Sequence, residues 1–392
     1  MKILFAHNSY LERGGEDVEV EAEISLLNKA GHQTYYFHRS NHEIQKLSAF
    51  GKIGFLAGEV YHSRYIYSEF RKVIQAFKPD VVHVHNTFLR ITPSIYNACL
   101  DAGVPVVQTF HNYRMLCPAG TFFRSGAVCQ DCFKVGKKAA VQHRCWKNSR
   151  VLSRVLTEVI EKLESDQVFQ SKVKVIIVPS QFAKDQFVRA GFQEKNIFVN
   201  PNVVDLKPLE RSSGAKSDYA LFAGRLADYK GVHELIAIFK QCPNVRLKIV
   251  GDGPLVEEIR TEAKNFKHIE LLGQLDHSRL VEEISKARFV IFPSVCFETF
   301  GRVIVEAYAC GVPVLASDVG AARELVKEGQ TGYLFNPSDI PTALQKIRLL
   351  AGDQSLAENL GKNARSYYDE HLSAQKSLMA LENIYRLALN NN

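Results

Sequence analysis

The stretch from Phe297 to Val326, FETFGRVIVEAYACGVPVLASDVGAARELV, predicts two helices and a strand joined by glycine-containing turns. Gly301 precedes an apolar helical run, and Gly311-Val312-Pro313 ends it, because glycine and proline both interrupt helices. The elements expected next are a buried strand at Val314 to Ala316, a small-residue turn at Ser317 to Ala322 and a helix from Arg323 to Glu328. This succession is typical of an α/β fold built on a parallel sheet.

Two carboxylates in this stretch, Glu298 and Glu306, lie on either side of the expected helix start at Gly301. The free N–H groups and positive dipole end of a helix favour an anion at this position. At a rise of about 1.5 Å per residue the carboxylates are at most ~12 Å apart along the axis, roughly the span of a nucleotide's ribose, diphosphate and attached sugar. Surface glutamates on an ordinary helix-strand-helix unit are the alternative for this segment alone.

The length and composition predict a globular chain of two domains. The 392 residues are 46% hydrophobic, which is enough for two substantial cores. No apolar run is long enough to span a membrane. Met1 to Ala6 is too short for a signal peptide and is expected to be the first strand. We therefore expect a cytoplasmic protein.

The formal charge of +7 is unevenly distributed along the chain. No acidic residue occurs between Lys134 and Arg154, whereas the cations there are Lys134, Lys137, Lys138, Arg144, Lys147, Arg150 and Arg154. A solvated surface is one interpretation, and contact with an anionic membrane or a phosphorylated lipid acceptor is the other. Nucleic acid is disfavoured, because Trp146 is the only aromatic residue in this stretch that could stack on bases.

Four of the eight cysteines are clustered in sequence as C-x11-C-x2-C-x12-C, namely Cys117, Cys129, Cys132 and Cys145. In a reducing compartment this spacing favours a structural zinc site over disulfides. Redox pairing and free thiols remain as alternatives. The other four cysteines lie in apolar segments and are expected to be buried thiols.

The order of predicted elements repeats in the two halves of the chain. In the first half strands alternate with helices as far as Val175 to Val178, with an irregular cysteine-containing insertion at about 112–149. A linker is expected at about 200–216, where prolines and a Ser-Ser-Gly step interrupt periodicity. The second half alternates again, and a final helix is expected at about 374–392. The prediction is an α/β protein of two doubly wound, Rossmann-like parallel-sheet domains that face a central cleft.

Two further motifs of the second half follow predicted strands. Gly224-Arg225 and Lys230-Gly231 come after the strand at Tyr219 to Ala223, where two cations could both reach a diphosphate. Gly251-Asp252-Gly253-Pro254 follows the next strand, and ligands of open α/β sheets bind at strand carboxyl ends. Each motif alone is weak, since exposed cations and glycine turns are common.

In combination these motifs resemble the retaining glycosyltransferases of family 4, which have the GT-B fold. The resemblance spans essentially the whole chain and implies an N-terminal acceptor domain at 1–205 and a donor domain at 206–373, with the last helix packing back on the first domain. It also implies roles for four side chains: Glu298 contacts the transferred sugar, Glu306 the ribose, and Arg225 with Lys230 the diphosphate. The expected donor-binding set also includes Gly224, Gly253, Thr299, Phe300 and Gly301, together with Gly14 and Gly15 of the N-terminal half.

The N-terminal half contributes two further candidates. Gly14-Gly15 follows the first strand, where glycine lets backbone N–H groups approach a phosphate or sugar, although a plain turn fits as well. In similar transferases this loop borders the donor. By the same resemblance His111, after the strand that ends at Thr109, faces the reacting sugar. His83 and His85 alternate along a strand and therefore share one face, which favours packing or acceptor contact over chemistry.

The expected reaction is transfer of a hexose from a nucleotide diphosphate sugar to a hydroxyl of a glycan or lipid-linked glycan, with retention of configuration. No D-x-D motif occurs, so no catalytic metal is expected, and the cations with a helix N-terminus would stabilise the diphosphate. A nicotinamide dehydrogenase is disfavoured because Gly14-Gly15 lacks the G-x-G-x-x-G pattern. A non-catalytic sugar-nucleotide-binding or membrane-associated scaffold is the alternative, and peripheral contact with the inner face of the membrane is compatible with both.

Overall fold

Two units, each built on its own parallel sheet, make up the chain. The structure is a computed structural model that describes residues 1–206 and 217–390. The first unit comprises Met1–Gly120, Gln130–Val203 and the residues from Ala374 onward, and the second comprises Thr121–Cys129 and Val204–Ser373. The insertion at 112–149 was expected to belong wholly to the first unit, but its central segment, Thr121–Cys129, belongs to the second. Most of the expected linker and the last two residues of the expected final helix lie outside the described residues.

Six parallel strands form the sheet of the first unit, in the order β2-β1-β3-β4-β7-β8. The strands of the first half of the chain are β1 Lys2–Ser9, β2 Gln33–Ser40, β3 Val81–Asn86, β4 Val106–Thr109, β5 Phe123–Arg124, β6 Ala127–Val128, β7 Val175–Val178 and β8 Ile197–Val199. β5 and β6 form a separate antiparallel hairpin within the segment that belongs to the second unit. β3, β4 and β7 are buried along their whole length, as expected of parallel strands covered on both faces.

Helices connect the strands of the first unit. They are α1 Gly15–Lys29, α2 His42–Gln45, α3 Ala49–Gly54, α4 Arg64–Phe77, α5 Ser94–Ala102, α6 Asp131–Lys134, α7 Lys138–Gln142, α8 Arg150–Ser165, α9 Val168–Ser171 and α10 Gln181–Arg189, with a π-helical turn at Phe55–Glu59. Ser180 caps α10 as its position after β7 predicts, because its Oγ accepts a hydrogen bond from the Ala183 N–H at 3.1 Å.

The second unit repeats this plan with strand order β11-β10-β9-β12-β13-β14, all parallel. Its strands are β9 Tyr219–Ala223, β10 Arg246–Val250, β11 Ile269–Gly273, β12 Phe289–Phe292, β13 Val314–Ser317 and β14 Gly332–Phe335. The α-helices that the structure describes in the second half of the chain are α11 Val232–Phe239, α12 Val256–Ala263, α13 His277–Lys286, α14 Arg302–Ala309, α15 Ala322–Leu325, α16 Ile340–Gly352, α17 Gln354–Tyr367 and α18 Ala374–Asn390.

The final helix, α18, returns to the first unit. Its Leu381, Tyr385 and Ala388 are fully buried and pack in the same cluster as Ile3 and Phe5 of β1. None of the helices in residues 1–206 and 217–390 combines the length with the hydropathy that crossing a bilayer requires.

The helix expected from Arg323 to Glu328 is shorter than predicted. It ends at Leu325, and Val326 has extended backbone angles. The Thr331 hydroxyl accepts a hydrogen bond from the Lys327 N–H at 3.0 Å, so a side chain satisfies this backbone group instead of a further helical turn. The short strands β8 and β14 were not predicted.

The two sheets reverse their strand order at a defined point, between β1 and β3 in the first unit and between β9 and β12 in the second. In the second unit Gly231 lies at this point with φ +71°, and a Cβ built on it would lie 1.9 Å from the Pro293 carbonyl oxygen. The loops after β9 and β12 therefore touch backbone to backbone, and only glycine fits.

We expect the Gly231→Ala substitution to reduce the free energy of unfolding by about 3 kcal/mol or more, because the new Cβ overlaps a carbonyl that cannot move without its strand. Gly273→Ala is a matched control, since Gly273 has φ +70° and open space around its Cβ position, and should cost only about 1 kcal/mol. Urea unfolding of the two variants checks this, and equal losses would contradict the close contact.

Candidate functional site

Most of the residues predicted to bind the donor lie in the second unit, around the point where its strand order reverses. Arg225 and Lys230 are in the loop after β9, Gly253 follows β10, and Glu298 follows β12. The Leu226 N–H donates to the Asp252 carbonyl at 2.9 Å and thereby joins the loops after β9 and β10. In open α/β sheets ligands bind in the crevice at this carboxyl edge.

An ion pair connects the two sides of this crevice. Lys230 Nζ lies 2.5 Å from Glu298 Oε1, and both side chains are about four-fifths buried, at 22% and 17% exposed. Ser294 Oγ donates to the same Glu298 oxygen at 2.9 Å. Burial acts to lower the pKa of Lys230, but the adjacent Glu298 carboxylate raises it overall. Lys230 therefore stays cationic, and Glu298 is held in a fixed orientation.

The backbone of Glu298 is also fixed. Its carbonyl accepts a hydrogen bond from the Ala321 N–H at 3.2 Å, which ties the loop after β12 to the turn after β13. Phe300 is buried, Thr299 is half-buried, and Gly301 is the N-cap of α14. The expected helix start at Gly301 is confirmed, so the N–H groups of the first turn of α14 adjoin the segment that contains Glu298.

Glu306 lies one turn into α14 and is held from two sides. Arg302 Nε is 3.0 Å from its Oε1, His277 Nε2 is 3.4 Å from the same atom, and the Glu306 side chain is 5% exposed. His277 was not singled out in the sequence, since nothing local distinguishes it. Only the packing of α13 beside α14 brings it to this carboxylate.

Arg225 is exposed and lies in the same loop after β9 as Lys230. Burial raises the pKa of the Tyr229 hydroxyl, while Lys230 lowers it, Glu298 raises it and Arg225 lowers it. The three charged side chains predicted to contact the sugar and diphosphate thus all influence the pKa of the Tyr229 hydroxyl. The structure brings this part of the predicted set together.

Gly14 and Gly15 belong to the first unit, at the reversal between β1 and β3. Gly14 is the N-cap of α1, and its N–H donates to Asp17 Oδ2 at 2.8 Å. Burial would raise the pKa of Asp17, but hydrogen bonds from His7, from Gly14 and from Ser9 together lower it to about 2. Both glycines are exposed, so this helix start presents accessible backbone beside a fixed carboxylate.

His111 follows β4 at the same edge of the first sheet. Its Nε2 lies 2.8 Å from His85 Nδ1, and the two rings stack with an interplanar angle of 8°. Burial lowers the pKa of His111 to about 3, and His7 adds to the effect. His111 is therefore neutral at physiological pH.

A small cavity beside His111 has several polar side chains in its lining that the sequence did not reveal. Its lining includes Tyr10, Glu16, His111, Asn112 and Arg114. Arg114 Nε donates to the Tyr10 hydroxyl at 3.2 Å, and Asn112 donates to Glu16. Burial raises the pKa of Glu16 above its usual range. The positions of Glu16 directly after Gly15 and of Arg114 close after β4 were the available signals.

The four clustered cysteines are divided between the two units. Cys129 lies in the segment of the second unit, whereas Cys117, Cys132 and Cys145 lie in the first. Among the described residues, the groups of three or more His, Cys, Asp and Glu whose side-chain N, O or S atoms all lie within 4.8 Å contain no cysteine. None of the eight cysteines, all of them in the described ranges, is in a disulfide. The zinc site stays a prediction.

Metal analysis decides the zinc prediction. If the four thiolates bind zinc, protein purified without added metal should contain about one zinc ion per chain, and Cys132→Ser should lose it because a structural site needs all four ligands. Cys310→Ser, outside the cluster, should retain the metal. Metal-free wild-type protein would end the prediction.

Comparison with known proteins identifies the family. Residues 20–208 match Glycosyltransferase Family 4, and residues 208–367 match glycosyl transferases group 1. A glycogen synthase from Mycobacterium tuberculosis is 30% identical over 325 residues, which cover 80% of this chain and 70% of that protein. The uncharacterized glycosyltransferase MJ1178 from Methanocaldococcus jannaschii is 34% identical over 173 residues, which cover 43% of this chain and 48% of that protein.

Solved structures share the fold. Anabaena HepE in complex with UDP aligns with a TM-score of 0.69 and 20% identity over 98% of this chain and 99% of that one. The sucrose-phosphate synthase of Thermosynechococcus elongatus aligns with a TM-score of 0.71 and 18% identity over the full length of both chains. The two parallel-sheet units of this chain are thus those of the GT-B fold, and the chain belongs to glycosyltransferase family 4.

Proposed function

We propose that the protein transfers a hexose from a UDP- or GDP-sugar to a hydroxyl of a glycan or lipid-linked glycan, with retention of configuration and without a catalytic metal. The observation that carries this proposal is the Lys230–Glu298 pair at the strand reversal of the second unit, with Arg225 in the same loop as Lys230. It places a fixed cation and a fixed carboxylate side by side, as a site for a diphosphate joined to a sugar requires.

In the proposed complex the diphosphate lies against Arg225, Lys230 and the N-terminus of α14. Negative charge grows on the diphosphate as its bond to the sugar breaks, and preorganised cations stabilise that charge. Lys230 suits this role because Glu298 raises its pKa and so keeps it protonated. Glu306, oriented by Arg302 and His277, would accept hydrogen bonds from the ribose hydroxyls.

A front-face path accounts for retention. The bond between the anomeric carbon and the diphosphate oxygen breaks while the acceptor oxygen bonds to the same face. The acceptor's proton passes to the departing phosphate oxygen. Glu298 would hold sugar hydroxyls and stabilise the positive charge that develops at the anomeric carbon. Its contacts with Lys230 and Ser294 favour this supporting role over that of a nucleophile.

The relatives support the substrate class. HepE has been solved in complex with UDP and with UDP-glucose, and CapM of Staphylococcus aureus is a glycosyltransferase of capsular polysaccharide biosynthesis. A UDP-sugar is therefore the first donor to test, and a growing glycan the first acceptor.

Donor hydrolysis tests the proposal. Screened against UDP-, GDP- and ADP-sugars, the protein should hydrolyse one of the first two slowly, and NMR of the released sugar should show the anomeric configuration of the donor. Chelation with EDTA should leave the rate unchanged. Nucleotide binding without any turnover would favour the scaffold alternative instead.

We expect Arg225→Ala to reduce turnover by about 100-fold or more, because it removes one cation from the departing diphosphate. The fold should survive, since Arg225 is exposed. Arg260→Ala, which removes an exposed cation from α12, is the control and should retain wild-type turnover. Normal turnover of the Arg225 variant would rule out its assigned role.

The basic stretch of the first unit supports peripheral membrane contact on the cytoplasmic side. Lys137 is paired with Glu164 at 2.5 Å and Arg154 with Glu158 at 2.8 Å. The other five cations of the stretch are exposed, namely Lys134, Lys138, Arg144, Lys147 and Arg150. Val135 and Val151 beside them are 67% and 70% exposed. Exposed apolar side chains among cations are typical of surfaces that bind anionic lipid.

Liposomes that contain anionic lipid should bind the protein at low salt and release it at ~0.5 M salt, where the Debye length is about 4 Å. Replacing Lys138, Arg144 and Lys147 by glutamine should weaken binding at low salt. The control replaces three exposed cations of the second unit, Arg260, Lys264 and Lys267, in the same way. Binding that does not respond to salt would contradict the electrostatic account.

A further inference from the structure

A row of buried polar side chains extends from His111 into the first unit. His85 of β3 lies next to His111, and Glu23 of α1 lies behind His85 and His83. His85, Glu23 and His83 are each at most 4% exposed. Tyr385 of α18, at the far end of the row, is fully buried. Buried polar groups are normally hydrogen-bonded, so the protons of this row have to be assigned consistently.

Hydroxyl groups contact both ring nitrogens of His83. Its Nδ1 lies 2.8 Å from the Tyr385 hydroxyl and its Nε2 lies 2.7 Å from Thr109 Oγ1. Both ring nitrogens of His83 thus have close partners. Glu23 Oε2, which is 3.5 Å from His83 Nδ1, is not needed by that ring.

His85 and Glu23, in contrast to His83, each have a buried polar atom without a hydrogen-bond partner. His85 Nε2 and Glu23 Oε2 are both buried, have no closer hydrogen-bond partner, and lie 3.5 Å apart. The gap exceeds a good hydrogen bond by about 0.5 Å, which a small rotation of the Glu23 carboxyl would close. The other nitrogen of His85, Nδ1, makes the 2.8 Å contact with His111 Nε2.

The environment favours the neutral form of each group. Burial raises the pKa of Glu23 well above its ordinary value, and the nearby carboxylate of Glu19 adds to this. Burial lowers the pKa of His85 well below its ordinary value, with further contributions from His83, His111 and His7. A charged Glu23 would be a buried carboxylate with no cation beside it, which is costly.

We propose that Glu23 and His85 are positioning residues that hold His111 in the tautomer with its proton on Nδ1. The Glu23 O–H donates to His85 Nε2, so the single proton of the His85 ring lies on Nδ1 and is donated to His111 Nε2. That nitrogen can only accept, and the proton of the neutral His111 ring therefore lies on Nδ1.

This assignment rests on the proposed function for its consequence, because His111 contacts sugar only if the protein is a transferase. An Nδ1–H group would donate a hydrogen bond to a sugar or phosphate oxygen. His111 could not then be the general base that deprotonates the acceptor, which agrees with transfer of that proton to the leaving phosphate. If Glu23 were ionised, every hydrogen bond of the row would reverse, and Nδ1 would accept instead.

Histidine tautomers can be read directly by NMR of protein labelled with ¹⁵N at histidine, with His111→Gln used to assign the His111 signals. We expect wild-type His85 and His111 both to be protonated on Nδ1. Glu23→Gln should preserve this pattern, because its amide N–H can donate to His85 Nε2. Glu23→Leu should shift His111 toward protonation on Nε2. Glu19→Gln, which alters the neighbouring buried carboxylate, should leave His111 unchanged.

A wild-type His111 protonated on Nε2 would overturn the proposal, and so would a stoichiometric metal ion bound to His85 Nε2 in place of the Glu23 proton. The measurement needs no substrate. Its failure is therefore distinguishable from failure of the proposed function, which the donor hydrolysis screen reports separately. A pattern unchanged in a folded Glu23→Leu variant would also contradict the role assigned to Glu23.

Discussion

The ion pair between Lys230 and Glu298 joins the loops that follow two neighbouring strands, β9 and β12, which are separated by most of a domain in sequence. It exists because the strand order reverses between them and because Gly231 lets the two loops touch. Removing either partner would leave the other as a largely buried charge, so each side chain fixes the other. The orientation of Glu298 and the charge of Lys230 both depend on this one contact.

Much of the candidate site in the second unit follows from sequence, because its parts are local. A glycine turn after a strand, a cation after that turn and a glycine before a helix can each be recognised from a few residues. The ion pair itself was not predicted, since motif order does not state which loops touch. His277 was missed for the same reason, because its contact with Glu306 depends on how α13 packs beside α14.

The buried polar row of the first unit could be predicted from the sequence only in part, for a different reason. The alternation of His83 and His85 correctly placed both on one face of β3, where they make contacts with Thr109 and His111. Glu23 was missed because a glutamate in an amphipathic helix is normally assigned to solvent. Here Glu19 and Glu23, four residues apart on α1, are buried, and Glu19 Oε1 accepts a hydrogen bond from the Val203 N–H. The sequence states which side chains can titrate, but it does not state which of them are buried in the fold.

The path of the chain also has a consequence for synthesis. The chain leaves the first unit after Gly120, returns at Gln130, leaves again after Val203 and comes back at Ala374. The core around Ile3 and Phe5 is completed by Leu381 and Tyr385 of α18. The first unit therefore cannot finish folding on the ribosome when its own sheet has emerged, and must wait with an open face until the last helix is made. A ribosome that stalls within the second half would leave both halves of the protein incomplete.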